Sequence, residues 1–171
     1  MIRINYRYQV LQFLLMVIIQ FPLLYKFILF DTAFGFFYIG FLILFPYKVS
    51  PFLQLLLGFL VGLSIDMFSN TPGMHAAASV AVMFIKDFWL VLVTEEPEDE
   101  VNTSVFTLGP IASILYVSPL IFLHHLIIFS IEYGRWDGFI SVLNKIIWSS
   151  LLSFGSIYLL NSLIAPRKRR A

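Results

Sequence analysis

The side chains able to do chemistry in this chain are few, and most are acids and imidazoles set inside apolar runs. Asp66 closes one such run, His75 opens the next, and His124 and His125 stand side by side in a third. Lys26 lies in an earlier run, while Glu132, Arg135, Asp137 and Lys145 follow the histidine pair. Ionisable groups at membrane depth are functional candidates by default, because an unpaired one is expensive in hydrocarbon. His, Asp and Glu also suit zinc. Adjacent residues on a helix, however, point about 100° apart, and no HExxH spacing frames His75, His124 or His125. Ser64, Ser69, Ser79 and Ser130 stand in neither a GxSxG elbow nor a Ser–Lys motif. With no cysteine, thiolate chemistry and disulfides are excluded. These residues therefore predict no catalytic set, no metal site and no cofactor. They leave a possible polar cluster of Lys26, His75, His124, His125 and Glu132. Asp66 has two readings: a ligand, proton or docking acid, or a structural group that pairs with Lys26, Lys145 or Arg135 or caps the turn before the next helix.

The elements that must position these groups follow from composition. Of 171 residues, 60% are hydrophobic and 12% charged, about half the charged share of an ordinary soluble domain. Mean hydropathy is +0.90. A chain of this kind cannot cover itself with a polar surface, and a bilayer is the solvent that suits it. The expected fold is an all-α polytopic membrane protein, a single bundle of about six transmembrane helices in one domain over 1–171. The spans read as 9–30, 32–47, 51–68, 74–93, 105–129 and 139–164. The first run follows Arg3 and Arg7 as a signal sequence would, but it is too long for one and lacks a small-x-small cleavage site. Segment 32–47 is short, reaching about 24 Å as a helix against a hydrocarbon thickness of about 30 Å.

Orientation follows from Lys and Arg. Both ends are basic, the second through Arg167-Lys168-Arg169-Arg170, so N- and C-termini read as cytoplasmic and the number of spans as even. Six spans place Arg3, Arg7, Lys48, Lys86 and the four tail cations inside, with Lys26, Arg135 and Lys145 outside. The tail is expected to anchor orientation rather than bind nucleic acid. The acidic run Glu95-Glu96-Pro97-Glu98-Asp99-Glu100 reads as a solvated connector, and Lys86 and Asp87 as residues whose ends reach the interface. Trp89, Trp136 and Trp148 fit an aromatic belt.

The centre of the chain is Leu55–Ile85. Gly58, Gly62 and Asp66 recur every four residues and so share one helix face. Gly73, Ala77 and Ala81 repeat that spacing after the polar turn Ser69–Gly73. Two small-residue faces joined by a short turn predict a closely packed helical hairpin.

The stretch GFLVGLSIDMFSNTPGMHA resembles the hallmark of the bacterial rod-shape-determining protein MreD family. In that family a Gly-rich helix ends in Asp and is followed about seven residues later by Gly and a small-residue helix. Gly58, Gly62, Asp66, Gly73 and Ala77 match this pattern, which covers about twenty residues; the acidic run 95–100 lies outside it. The resemblance implies a non-enzymatic component of the cell-elongation (rod) complex in the bacterial cytoplasmic (inner) membrane, active in cell shape and lateral peptidoglycan synthesis. Its partners would be an MreC-like bitopic protein and, through it, the actin-like MreB and the peptidoglycan polymerase and transpeptidase. The family is also similar in fold to the substrate-binding subunits of energy-coupling-factor transporters. That implies an alternative, a small-molecule-binding membrane subunit using Asp66, His75, His124 and Glu132.

Overall fold

The computed structural model describes Ile18, Gln20, residues 28–29, 32–47, 49–94, 109–134 and 138–164, with side chains as far as residue 160. The expected first span and Lys26, together with Lys48, the acidic run, Arg135, Trp136, Asp137 and the basic tail, fall wholly or mainly outside these residues. Within them the chain is mostly helical. Two short strands, β1 (Ile28–Leu29) and β2 (Ala33–Phe34), pair antiparallel ahead of α1 (Ile39–Leu44), α2 (Pro51–Ser69), α3 (Met74–Thr94), α4 (Pro110–Tyr133) and α5 (Phe139–Ile164).

The four long helices are each long and apolar enough to cross a membrane, as an α-helical membrane protein requires. Their ends are marked by residues suited to the job. Pro51 and Pro110 open α2 and α4, where a missing N–H costs nothing. Asn70 and Gly134 close the same helices in the left-handed region. Consecutive long helices pack side by side as an antiparallel series. Pro119 interrupts α4 and removes the N–H that would have bonded Leu115 O. Trp89 Nε1–H of α3 donates to that same carbonyl at 3.0 Å. The proline's cost is thus met by a neighbouring helix, as a bilayer core demands.

The α2–α3 hairpin is closely packed, but its second small face is not the expected one. Gly58, Gly62 and Asp66 are all buried. A Cβ at Gly62 would fall on the backbone of His75 and Ala76, and one at Gly58 would meet Met83 and Ser79 O. The residues of α3 that face these glycines are therefore His75, Ala76, Ser79 and Met83. Gly73 and Ala77, expected at this contact, are exposed. Gly73 precedes the helix with φ +81° and serves as a turn residue. Counting fours from it selects the outward side of α3.

Segment 32–47 departs most from expectation. It is not a short spanning helix: after β2 it runs without regular structure through Gly35–Tyr38, and its helix α1 is six residues long, about 9 Å. Every residue from Gly35 to Ile43 is buried. Phe34 packs on Phe129, and Ile43 O accepts from Tyr116 Oη at 3.1 Å, levels about 20 Å apart along α4 at 1.5 Å per residue. The segment therefore threads the bundle's interior along most of its depth. The core forms around it: Phe36, Tyr38, Ile39, Leu42 and Ile43 join Val61, Ile65, Val82, Val117, Leu120, Ile121, Ile146 and Ile157 in one cluster.

Candidate functional site

Irregular backbone at membrane depth is stable only where its polar groups find protein partners, and those partners define the site. Phe34 N–H donates to Ser149 Oγ at 2.9 Å and Phe36 N–H to Ser153 Oγ at 3.0 Å, both from α5. Gln20 Oε1 accepts Phe37 N–H at 2.5 Å and Tyr38 N–H at 3.4 Å, while Gln20 Nε2 donates to Gly35 O at 3.3 Å. At the other end Lys86 Nζ donates to Phe45 O at 3.2 Å and Pro46 O at 3.3 Å, and it pairs with Asp87. Gln54 Nε2 ties Asp87 Oδ2 at 2.7 Å to Val49 O at 3.0 Å. Lys86 thus does not reach outward to the interface: it is 1% exposed and turns inward. The carbonyls that end α1 carry partial negative charge and give this cation closer partners than the interface does.

In the middle of the segment Tyr38 places its hydroxyl between two imidazoles, His75 Nδ1 of α3 at 2.8 Å and His124 Nε2 of α4 at 2.5 Å. Phe36 stands against His75, His124 and His125, with ring centroids 5.2, 6.0 and 5.3 Å away. All three histidines are buried. His125 is fully committed: Nδ1–H donates to Ile121 O at 2.8 Å, and Nε2 lies 3.3 Å from Ser153 Oγ. That Ser–His contact has none of the access a nucleophile needs, since Ser153 is itself buried and already accepts the Phe36 N–H.

Asp66 sits beside this group with a role of its own. Its Oδ1 accepts from Thr71 Oγ1 and from His75 N–H, and its Oδ2 from Ala76 N–H, each at 2.9 Å. The carboxylate therefore caps the first turn of α3 from the end of α2, one of the two roles read from the sequence. A negative charge there also meets the positive end of the helix dipole.

The expected polar cluster is thus only partly assembled. The structure gathers His75, His124 and His125 and adds Tyr38. Glu132 lies apart on the exposed surface and pairs with Lys145 at 4.0 Å, because Lys145 is held over the rings of Phe34, Phe129 and Tyr133 at 5.6 to 5.9 Å. Lys26 lies outside the described residues. Among the described residues no three His, Asp or Glu side chains are arranged to hold a metal. Sequence reasoning did not single out Gln20, Tyr38, Ser149 or Ser153. The one available signal was that Gln20, Tyr38 and the serines are polar atoms inside stretches otherwise able to face lipid.

No family model, curated protein or solved structure matches the chain. What it does must be argued from its own geometry.

Proposed function

We propose that this protein is a non-enzymatic scaffold of the bacterial cell-elongation complex in the cytoplasmic membrane, holding an MreC-like bitopic partner and, through it, MreB and the wall polymerase and transpeptidase. The observation that carries the reading is the role of the residues on which the resemblance rests. Gly58 and Gly62 let α3 lie against α2, and Asp66 caps α3, so three of those five residues build a closely packed two-helix unit. The outer faces of that unit, with Phe52, Phe59, Met67, Phe68, Phe84 and Phe88 exposed, suit lipid or single-span helices. Weighing against the small-molecule alternative, Asp66, His75 and His124 are engaged by backbone or Tyr38, and Phe36 and Tyr38 fill the space between the helices.

Co-purification from membranes in mild detergent tests the scaffold. The expected result is recovery of an MreC-like protein and wall synthases, with loss of rod shape on depletion. Recovery of the chain alone, with normal cell shape after depletion, refutes it. Ligand-dependent thermal stabilisation of the isolated protein would restore the alternative.

A further inference from the structure

Two histidine sites stand side by side in the core, and their hydrogen bonds differ in kind. Those of His125 admit one assignment. A carbonyl only accepts, so Nδ1 carries the proton toward Ile121 O. Nε2 is then an acceptor and takes the Ser153 hydroxyl proton, while Ser153 Oγ accepts Phe36 N–H. A neutral ring has no other choice. His125 is a structural residue with a fixed tautomer.

The Tyr38 site is not fixed in this way. A phenol has one proton to give and lone pairs to accept with. With His75 Nδ1 and His124 Nε2 both at its oxygen, either imidazole can be the donor and the other the acceptor. One buried polar atom at the site, His124 Nδ1, lacks a partner among the described residues, and the Ser79 hydroxyl of α3 lies beside that of Tyr38. If His124 Nε2 accepts, the ring's proton sits on Nδ1, which has no acceptor among the described residues. If Nε2 donates, Nδ1 is bare and open to a proton. A phenol and two imidazoles are a costly way to fill a membrane-deep core when Leu or Phe packs as well.

We propose that Tyr38, His75 and His124 form a proton-binding site, in which one excess proton is shared between α3 and α4 through the Tyr38 hydroxyl. A proton taken up on His124 Nδ1 makes that ring an imidazolium whose Nε2–H donates to Tyr38 Oη, while Tyr38 O–H donates to His75 Nδ1. Shifting both protons one step along breaks one N–H and one O–H bond and forms one of each. It leaves His124 neutral with its proton on Nδ1, Tyr38 neutral, and His75 as the imidazolium. The charge has then moved toward Asp66, whose carboxylate holds His75 N–H and Ala76 N–H and supplies the counter-charge. The other titratable or charged groups among the described residues of the packed elements are Tyr47 of the segment, Tyr116, His125, Glu132 and Tyr133 of α4, Lys86 and Asp87 farther along α3, and Lys145 and Tyr158 of α5. Asp87 is paired with Lys86, and Lys145 is held over Phe34 and Phe129. The site needs no partner protein, so it stands or falls apart from the scaffold reading.

The test is nitrogen NMR of the full chain, labelled with 15N-histidine, in nanodiscs of phosphatidylethanolamine and phosphatidylglycerol. The pH is lowered through and below the ordinary histidine value of about 6.5. The expected result is that His75 and His124 shift together, as a single-proton titration, while His125 keeps its Nδ1–H tautomer. Tyr38→Phe keeps the ring and removes the bridge, so the two histidines should no longer shift together. If that variant fails to fold, potentiometric titration of the wild type against His124→Gln replaces it: a single shared proton leaves the uptake equal, because His75 still takes it, whereas two independent histidines lose one. Neutral His75 and His124 throughout the folded range, independent titration in the wild type, wild-type behaviour in Tyr38→Phe, or one proton fewer in His124→Gln would each overturn the proposal.

Discussion

Replacing Asp66 by Asn is the most informative single change, because it alters one atom and one charge. The carboxylate accepts three hydrogen bonds at 2.9 Å and is 3% exposed. An amide oxygen placed at Oδ1 can keep the bonds from Thr71 and His75, but the NH2 group then faces Ala76 N–H. A buried donor opposite a donor costs about 1–3 kcal/mol. The two surviving bonds fall from charge-assisted to neutral, which removes about half their strength, and the helix-terminus attraction of about 0.3–1 kcal/mol goes with them. Relief from burying a charge offsets part of this, leaving a net loss of about 2–4 kcal/mol. Thr71→Ala is the matched control. It removes one of the three donors from a half-buried position and should cost about 1 kcal/mol or less. Reversible unfolding of both variants in mixed micelles, followed by tryptophan fluorescence, gives the two values. An Asn variant as stable as Thr71→Ala would refute the capping argument, because the carboxylate would then do no more for the protein than hold one hydroxyl.

Gly62→Val should be more damaging than Gly155→Val, because a Cβ at Gly62 meets α3 backbone while one at Gly155 meets nothing within 4 Å among the described residues. Overpacking of about 1–3 kcal/mol or more should appear as a lower melting temperature for Gly62→Val alone. Ser153→Ala strands Phe36 N–H and loosens His125; a loss of about 1–3 kcal/mol is expected, with faster amide exchange at Phe36 by mass spectrometry as the local readout. Lys86→Met leaves Asp87 and the Phe45 and Pro46 carbonyls without their shared cation, and removing one member of a buried pair costs about 3–5 kcal/mol. Asp87 is 26% exposed, so the lower end of that range is expected in the same unfolding assay. Trp89→Phe frees Leu115 O opposite Pro119 and should lower stability by about 1 kcal/mol; no change would mean that water or lipid headgroups already satisfy that carbonyl.

What could be read from the sequence and what could not divide along one physical line. A long run of Leu, Phe, Ile and Val reports its transfer to hydrocarbon residue by residue, so α2, α3, α4 and α5 are visible without knowing what they touch. The Gly58–Gly62–Asp66 face is visible for a related reason: residues four apart share a side of a helix wherever that helix is put. The facing side of α3 was misplaced because Gly73 was counted as helical, and moving the count by one residue turns the face by about 100°. Ala76, Ser79 and Met83 carry no spacing signal that Ala77 and Ala81 lack; only the contact with Gly62 tells them apart.

Segment 32–47 was beyond such reasoning because its stability is not its own. Its composition is apolar enough to read as a short span, and nothing between Thr32 and Tyr47 says that ten of these sixteen residues will lie outside a helix. The permission comes from elsewhere: Ser149 and Ser153 on α5, Gln20 near the start, Tyr116 on α4 and Lys86 on α3 together satisfy the backbone that a helix would have satisfied internally. Each of those residues taken singly is an ordinary polar break in an apolar run. In a bilayer an unmatched N–H or C=O costs too much to be left, so isolated polar side chains on separate spans are best read as a set in search of a common backbone. The same rule bears on Tyr38 and the histidines. Gln20 and Ser153 hold the backbone from Gly35 to Tyr38, which leaves the Tyr38 side chain to serve His75 and His124, and a core that had only to hold this segment in place had no need of them.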